Sequence, residues 1–205
     1  MAQRIRQRKQ PVQQRSQRTT EVILEATLQV LLRDGYASFT TTRVAERAGV
    51  SVGTLYQYFP DKRSLVTALK VRYFGLMLDA VRAAAVDPKL DTLEEALRSA
   101  LGALLRVKQE NRALTLALRT PMTELNEGNF VRETLEQFVA LLAPVVARTL
   151  PALTDMRRVI LVVAALEGAI SHAVYEAPDW LHEEWFLSDL VALATRFLAP
   201  QLEAR

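Results

Sequence analysis

Residues 40–65 read TTTRVAERAGVSVGTLYQYFPDKRSL and predict two short helices around a glycine turn. Thr40 can cap a helix over residues 41–48, because its hydroxyl can accept from an amide of the first turn. Gly49 ends that helix, since glycine takes a positive φ without steric cost. Ser51 is placed to cap a second helix. Two capped helices joined by a short turn form a helix-turn-helix, whose second helix enters the major groove of DNA.

The second helix, predicted over residues 52–59, begins with small side chains and continues with aromatic ones. The first three positions let the backbone approach base edges and phosphates closely. A hydroxyl such as that of Tyr56 or Tyr58 can hydrogen-bond a phosphate oxygen, which fixes register without reading sequence. Lys62 falls in the first turn of the next helix, where its charge adds to amides that attract an anion. Taken alone, Lys62 can equally be a solvated helix start.

The segment closely resembles the N-terminal DNA-binding domain of TetR-family transcriptional regulators, over residues 18–73. The matching positions are dense: Ala48-Gly49-Val50-Ser51, Gly53-Thr54-Leu55-Tyr56, Tyr58-Phe59, Lys62 and Leu65. The resemblance implies an amphipathic first helix that ends near Gly35 and closes a three-helix core.

Carried over by position, the resemblance implies two sets of DNA contacts. The phosphate contacts fall on Thr40, Tyr56, Tyr58 and Lys62. The base-edge or close groove contacts fall on Thr42, Arg43, Val52, Gly53, Thr54 and Gln57, with Ser51 beside them as the cap. Position 52 is often polar or basic in the family, so valine excludes a hydrogen bond there; its methyl groups can pack against a thymine methyl instead.

Length and composition set limits on the function. A chain of 205 residues that is 50% hydrophobic can bury a substantial core. The absence of cysteine excludes disulfides, thiol catalysis and cysteine metal sites. No apolar run approaches the ~20 residues needed to span a bilayer, and the arginine-rich N-terminus has no apolar signal segment. A soluble, cytoplasmic protein without a membrane partner is expected.

Basic charge is concentrated at the N-terminal end. The net charge is +3, but residues 1–18 alone carry +6, residues 19–72 carry +2 and the remainder carries −5. Residues 1–17 are predicted to be an arm that is disordered when free. This arm either lies along phosphates or in a minor groove, or is a solubilising tail. A DNA-binding domain is predicted over residues 18–64, followed by a larger domain over 65–205.

The larger domain is predicted to be helical throughout, so the fold class is all-α. The predicted helices cover residues 63–85, 93–109, 112–119, 130–150, 156–175 and 183–198. Pro88, Pro121, Pro151, Pro178 and Pro200 fall between or after these segments, where helix breaks are tolerated. Pro144 falls inside one of them, so that helix is expected to kink or restart.

The last two long helices are apolar around most of their circumference, so each needs cover on more than one side. The resemblance implies that they form a four-helix bundle with a second copy of the chain. A two-fold dimer presents two recognition helices to a pseudo-palindromic operator. The predicted dimer interface contains Val163, Glu167, Ile170, Leu190, Leu193 and Phe197.

The resemblance also implies a small-molecule pocket between helix 63–85 and the helices after it. Its candidate lining residues are Tyr73, Met77, Leu101, Leu105, Leu114, Leu118, Arg119, Met122, Phe130, Phe138 and His172. Any one of them can instead be ordinary core, Arg119 can be a solvated arginine, and Glu167 with His172 can be a buried interface pair. No cofactor or metal is expected, because two histidines and no cysteine provide no clustered ligand set.

The sequence offers no enzyme motif: no glycine-rich phosphate loop, no HExxH and no GxSxG. The prediction is therefore a dimeric, DNA-binding transcriptional regulator, a repressor released from its operator by a small-molecule effector. The alternative is a DNA-binding architectural or partner-recruiting protein that has no inducer.

Overall fold

The computed structural model of the chain describes residues 9–85, 90–124, 128–151, 153 and 155–199, with side chains except at 9–13, 122–124, 128, 129 and 131. Nine α-helices and one short 3-10 helix form this part of the chain, and it contains no strand. The all-α prediction is confirmed. The chain divides into two compact units, one ending at Val71 and the other beginning at Arg72.

The helices follow one another with short connections. They are α1 Lys9–Asp34, α2 Thr41–Ala48, α3 Val52–Tyr58, α4 Lys62–Ala85, α5 Leu93–Glu110, α6 Arg112–Glu124, α7 Gly128–Thr149, α8 Met156–Tyr175 and α9 Glu184–Leu198, with the 3-10 helix Pro178–His182 before α9. The limits of α2 and α8 are those that the sequence predicts. The division between the units falls inside α4, several residues after the predicted boundary at residue 64.

The first helix starts earlier than the sequence predicts. It begins at Lys9, so residues 9–17, predicted to be disordered when free, are helical. Glutamine and arginine are good helix formers, and no glycine separates this stretch from the apolar part of α1. Residues 1–8 of the predicted arm lie outside the described residues.

The core of the first unit is made by α1, α2, α3 and the start of α4. Ile23 and Val44 are completely buried, as are Leu55 and Leu65. Each comes from a different helix, so the four helices close around one apolar centre. The helix-turn-helix is therefore held by a core of its own.

The core of the second unit joins α5, α7, α8 and α9. Its buried residues include Leu97, Leu101, Val146, Val162, Leu166, Ile170, Phe186, Leu190 and Ala194.

The prolines interrupt the helices of the second unit less than predicted. Both α6, which contains Pro121, and α7, which contains Pro144, continue beyond their proline, so neither the predicted break nor a restart occurs. In α6 the helix continues only to Glu124, so the missing amide hydrogen bond affects its last turns.

Helix α8 is long and apolar enough to cross a membrane by length and composition, and it alone among the described helices passes this test. This test allows charged residues, whereas the prediction concerned an uninterrupted apolar run; in α8 such a run is interrupted by Arg157, Arg158 and Glu167. The inward residues of α8, such as Val162 and Ile170, belong to the core of the second unit. Core helices of this kind meet the same criterion.

Candidate nucleic-acid interface and apolar cavity

The two helices of the helix-turn-helix are capped as the sequence predicts. The Thr40 hydroxyl accepts from the Arg43 amide at 3.3 Å, and the Ser51 hydroxyl accepts from the Thr54 amide at 3.0 Å. Gly49 ends α2 with φ +67°, and its amide donates to Ala45 and Glu46. These local bonds fix where α3 begins and therefore which of its side chains face outward.

The outer face of α3 combines short side chains and one large aromatic ring. Val52 and Tyr56 are 38% and 48% exposed, and Gly53 and Gln57 are exposed as well. The half-buried Thr54 has its hydroxyl 2.8 Å from that of Ser51. Thr40, Thr42 and Arg43 are exposed on α2 and its cap, and Tyr58 is half-buried. The structure thus brings these predicted DNA-contact residues together on α2 and α3, two adjoining helices of one unit, while Lys62 lies at the start of α4.

Arg43 is held by contacts that the sequence does not predict. Its Nη1 donates to Asp34 Oδ2 at 3.2 Å and to the Ser38 carbonyl at 2.9 Å. Hydrogen bonds and charge from Arg33, with a further contribution from Arg43, hold the pKa of the Asp34 carboxyl below its usual value. Arg43 must release these partners before its guanidinium can form a bidentate contact with a base. No ion pair has to be broken before Thr42, Thr54 or Gln57 can contact a base, because their side chains are uncharged.

The start of α4 provides the positive charge of this surface. The Asp61 carboxylate accepts from the Ser64 amide at 2.7 Å, which caps the start of α4 and lowers the pKa of the carboxyl. Lys62 follows at once and is exposed, with its ammonium 4.6 Å from the centre of the Tyr36 ring. That contact places the ammonium at the helix N-terminus, where amide groups also attract an anion.

The second unit contains an apolar cavity of about 410 Å³. It lies among α4, α5, α7 and α8, and its lining includes Phe74, Met77, Val81, Leu97, Leu101, Leu104, Leu135, Phe138, Leu142, Leu166 and Ile170. Two charged residues, Lys108 and Glu167, also line it, together with Thr134. A volume of this size lies within the usual range for small-molecule sites.

Of the predicted pocket residues, Met77, Leu101 and Phe138 line this cavity. Leu105, Leu114 and Leu118 are buried outside it. Tyr73 is buried too, and its hydroxyl lies 2.5 Å from that of Thr115.

The remaining pocket candidates are also outside the lining. The Phe130 ring packs edge-on against Phe74, with centroids 4.8 Å apart, and so stands behind a lining residue. Arg119 and His172 are exposed, the first over the Tyr175 ring and the second 5.4 Å from the Trp180 ring. The side chain of Met122 lies outside the described residues.

The sequence did not predict several lining residues, among them Phe74, Leu97 and the charged Lys108. Lys108 is only 6% exposed although it is a lysine. The available signal was its spacing: Lys108 follows Leu101 and Leu104 at helical intervals, on the face of α5 that these leucines bury. A charged residue in such a position would normally be assigned to the solvent face, which is why it was overlooked.

An exposed apolar face runs along α8 and α9. Ile160 and Leu161 are 43% and 57% exposed, and Leu193 and Phe197 are 47% and 38% exposed. Small residues on α8, namely Ala164, Ala165 and Gly168, are exposed with them.

The predicted interface residues divide between this face and the interior. Leu193, Phe197 and Glu167 are exposed, and Val163 is half-buried. Ile170 and Leu190 are instead 1% and 3% exposed in the core of the second unit, so their assignment to a dimer surface is wrong. Because both helices are apolar on several sides, the sequence pattern did not distinguish the inward side from the outward one.

Comparison with known families gives two matches. Residues 23–69 match the family described as bacterial regulatory proteins, tetR family, and residues 92–198 match the tetracyclin repressor-like C-terminal domain. The two matches cover the helix-turn-helix and most of the second unit.

Individual relatives agree with these matches. The chain is 40% identical over 97 residues to the HTH-type transcriptional repressor KstR of Mycolicibacterium smegmatis, which covers 47% of this chain and 46% of KstR. It is 29% identical over 114 residues to the nucleoid occlusion factor SlmA of Glaesserella parasuis, covering 56% and 54%. The chain thus matches about half the length of these curated relatives.

Solved structures extend the likeness to nearly the whole chain. The fatty acid degradation regulator FadR from Bacillus halodurans aligns with a TM-score of 0.65 over 89% of this chain and 96% of its own, at 20% identity. At that identity the likeness concerns the fold.

Proposed function

The chain belongs to the TetR family of bacterial transcriptional regulators, which are not enzymes, and on that premise we propose that it is a dimeric repressor released from its operator by a small molecule. The proposal has three parts: an operator surface on α2, α3 and the start of α4, a dimer face on α8 and α9, and an effector site in the second-unit cavity. Each part rests on separate contacts.

The operator surface is supported by the capped α2–α3 pair, which is the observation that carries the proposal. The Thr40 and Ser51 caps orient α3 so that Tyr56 is exposed beside the small residues of its first turn. Tyr56, Tyr58 and Lys62 then bind phosphates, which sets position. Thr42, Thr54 and Gln57 are left to read base edges, since valine and glycine at 52 and 53 offer no side-chain hydrogen bond.

The dimer is supported by the exposed apolar face. Large apolar side chains on one contiguous face of a soluble protein mark an interaction surface. Small residues of α8 allow another helix to approach closely, and the exposed Leu161, Leu193 and Phe197 supply apolar area. A second copy seated on this face by a two-fold axis brings two copies of α3 to successive major grooves of one operator.

The effector site is supported by the cavity and by its position on the chain. Helix α4 begins with Lys62, which belongs to the proposed operator surface. Further along the same helix, Phe74, Met77 and Val81 line the cavity. A molecule that fits the cavity in one arrangement of α4 better than in another shifts the population between them. The loss of operator affinity then equals the difference in ligand affinity between the two states.

The test begins with selection of a bound sequence from random duplexes, followed by titration of that sequence and a scrambled duplex at several salt concentrations. A specific regulator should bind the selected duplex at least about 10³-fold more tightly at physiological salt. Apolar acids, alcohols and aromatic compounds are then added at saturation. A fall in operator affinity with one of them supports release, and the absence of any selected sequence contradicts the proposal.

A DNA-binding architectural or partner-recruiting protein is the second candidate, and the similarity to a nucleoid occlusion factor favours it. This candidate predicts the same operator surface and dimer. It differs in one measurable respect: no molecule that binds the cavity changes the affinity of the intact dimer for DNA.

A further inference from the structure

We propose that the second-unit cavity binds an apolar molecule with an anionic head, and that the ammonium of Lys108 holds this head. The inference rests on the proposed function for the cavity's role as an effector site and adds the chemical class of the effector. It is carried by one buried, charged side chain in a mainly apolar lining whose other polar side chains are those of Thr134 and the exposed Glu167.

The position of Lys108 is costly without an anion. Its side chain is more than nine-tenths buried and lines the cavity. Within the described part of the chain, no carboxylate or other acceptor forms a hydrogen bond or ion pair with its ammonium. An ammonium that lines a mainly apolar cavity without a partner is less well solvated than one in bulk water, and an anion inside the cavity would compensate for that loss.

The other polar groups of the lining already have partners. Glu167 Oε1 accepts from the Ser171 hydroxyl at 2.8 Å, and Glu167 is itself exposed to solvent. The Thr134 hydroxyl donates to the Phe130 carbonyl at 2.8 Å. Lys108 is therefore the polar lining group that has no partner among the described residues, and its three donors suit a carboxylate or a phosphate.

The rest of the lining selects an apolar body. Phe74, Leu101 and Phe138 face the same space as Lys108, and about 410 Å³ admits a medium-length alkyl chain or a small ring system. A ligand with charge at one end and hydrocarbon along the rest satisfies both parts of the site. A neutral molecule would leave the ammonium unpaired, and a cation would be repelled by it.

The test uses four probes that share one alkyl chain: decanoate, decyl phosphate, decanol and decyltrimethylammonium, all below their micellar concentrations. Binding to the full-length protein is measured by calorimetry for the wild type, Lys108→Met and Arg106→Met. Methionine keeps the apolar length of lysine and removes its charge. Arg106 is exposed on the same helix and does not line the cavity, so its variant controls for the loss of one positive charge.

At least one of the two anions should bind the wild type and Arg106→Met alike, and at least about ten-fold more weakly to Lys108→Met. Comparison of decanoate with decyl phosphate identifies the preferred head. Decanol should bind all three proteins within about two-fold of one another. The inference is overturned if neither anion binds at millimolar concentration, if decanol or the cation binds the wild type as tightly as the better anion does, or if Lys108→Met retains the affinity.

Two further measurements distinguish anion binding by Lys108 from a structural role of Lys108 and from release of DNA. Without a ligand, Lys108→Met should melt at the same or a higher temperature, because an unpaired buried charge has been removed; a lower melting temperature would assign Lys108 a structural role and contradict the inference. If the anion binds through Lys108 but leaves operator affinity unchanged, the binding site stands and the release function fails. If another molecule releases DNA equally from both proteins, the release function stands and Lys108 is not its anchor.

Discussion

The hydroxyls of Tyr56 and Thr41 lie 3.2 Å apart, so one hydrogen bond joins the exposed face of α3 to the first turn of α2. A tyrosine hydroxyl both donates and accepts. When Thr41 donates, Tyr56 keeps its own proton for a phosphate oxygen. The bond therefore orients the phenol that the proposal assigns to the DNA backbone.

Tyr56→Phe should weaken DNA binding at least about 100-fold for selected and scrambled duplexes alike, since the proposed dimer loses two hydrogen bonds to charged groups and each contributes on the order of 1.5–3 kcal/mol. Thr41→Val is the matched control, because it keeps the phenol and removes only the residue that orients it, and a smaller loss is expected. Fluorescence anisotropy at physiological salt measures both. A loss confined to the selected duplex would make Tyr56 a reader of bases.

Lys62→Ala should reduce the slope of log affinity against log salt by about 1.8, because the proposed dimer loses two phosphate contacts and each contributes about 0.9 on duplex DNA. The physical reason is the exposed ammonium held at the N-terminus of α4 by the Tyr36 ring. Arg132→Ala is the control, because Arg132 is an exposed basic residue of the second unit that pairs with Glu136. Equal slopes for Lys62→Ala and the wild type would show that Lys62 does not contact a phosphate of the DNA.

Gly49→Ala should lower the free energy of unfolding by roughly 1–2 kcal/mol, because Gly49 ends α2 at φ +67° and a left-handed conformation is unfavourable for alanine. No atom lies within 4 Å of an added Cβ, so the cost is conformational and not a clash. Gly75→Ala is a control for which a change of opposite sign is expected. Gly75 lies inside α4 with equally open space around an added Cβ, so alanine should raise the free energy of unfolding by about 0.5–1 kcal/mol. Chemical denaturation measures both changes, and equal signs would contradict the argument.

Local chemistry explains which elements could be predicted from the sequence. Caps and end glycines act over three or four residues, so the ends of α2 followed from Thr40 and Gly49 alone. Helix α8 also has the predicted limits, and in the structure Asp155 caps its start by accepting from the Arg157 amide. Signals of this kind do not depend on the rest of the fold.

The parts that the sequence did not predict depend on contacts between distant positions. Arg43 meets Asp34 only because the turn after α1 folds back towards α2. Ile160 and Ile170 lie on the same apolar helix, yet the first is 43% exposed and the second 1% exposed. Apolar periodicity cannot separate two such residues when apolar side chains surround most of the helix. The burial of Lys108 has the same origin.

The stability of the protein should rise with pH above about 8 because of Lys70. Its side chain is fully buried, and burial, with a smaller contribution from Arg63, lowers the pKa of its ammonium to about 8 from 10.5. Between these two values the unfolded chain binds more protons than the folded one, so the unfolding free energy increases with pH. Below pH 8 the full penalty of the buried charge is present.

The comparison with Lys70→Met isolates this effect, because the other titrating groups are common to both proteins. The stability of the wild type minus that of the variant should increase by roughly 2 kcal/mol between pH 7.5 and 10. Urea denaturation at several pH values gives the difference. A difference that stays constant across this range would show that Lys70 carries the same charge in the folded and unfolded chains.

Leu161→Glu should convert the proposed dimer into a monomer. Leu161 is 57% exposed on the apolar face of α8, and a two-fold axis through that face would bury two glutamates, one from each copy, in apolar surroundings. Leu116→Glu is the control, because Leu116 is also exposed, at 36%, but lies on α6 and not on α8 or α9. Analytical ultracentrifugation gives the mass of each protein, and circular dichroism establishes that both remain helical. The Leu161→Glu protein should also bind an operator with two half-sites no more tightly than a duplex with one half-site, while its affinity for the single half-site is unchanged. If Leu161→Glu remains dimeric, the dimer interface does not include this face of α8. The exposed apolar face would then require a different partner.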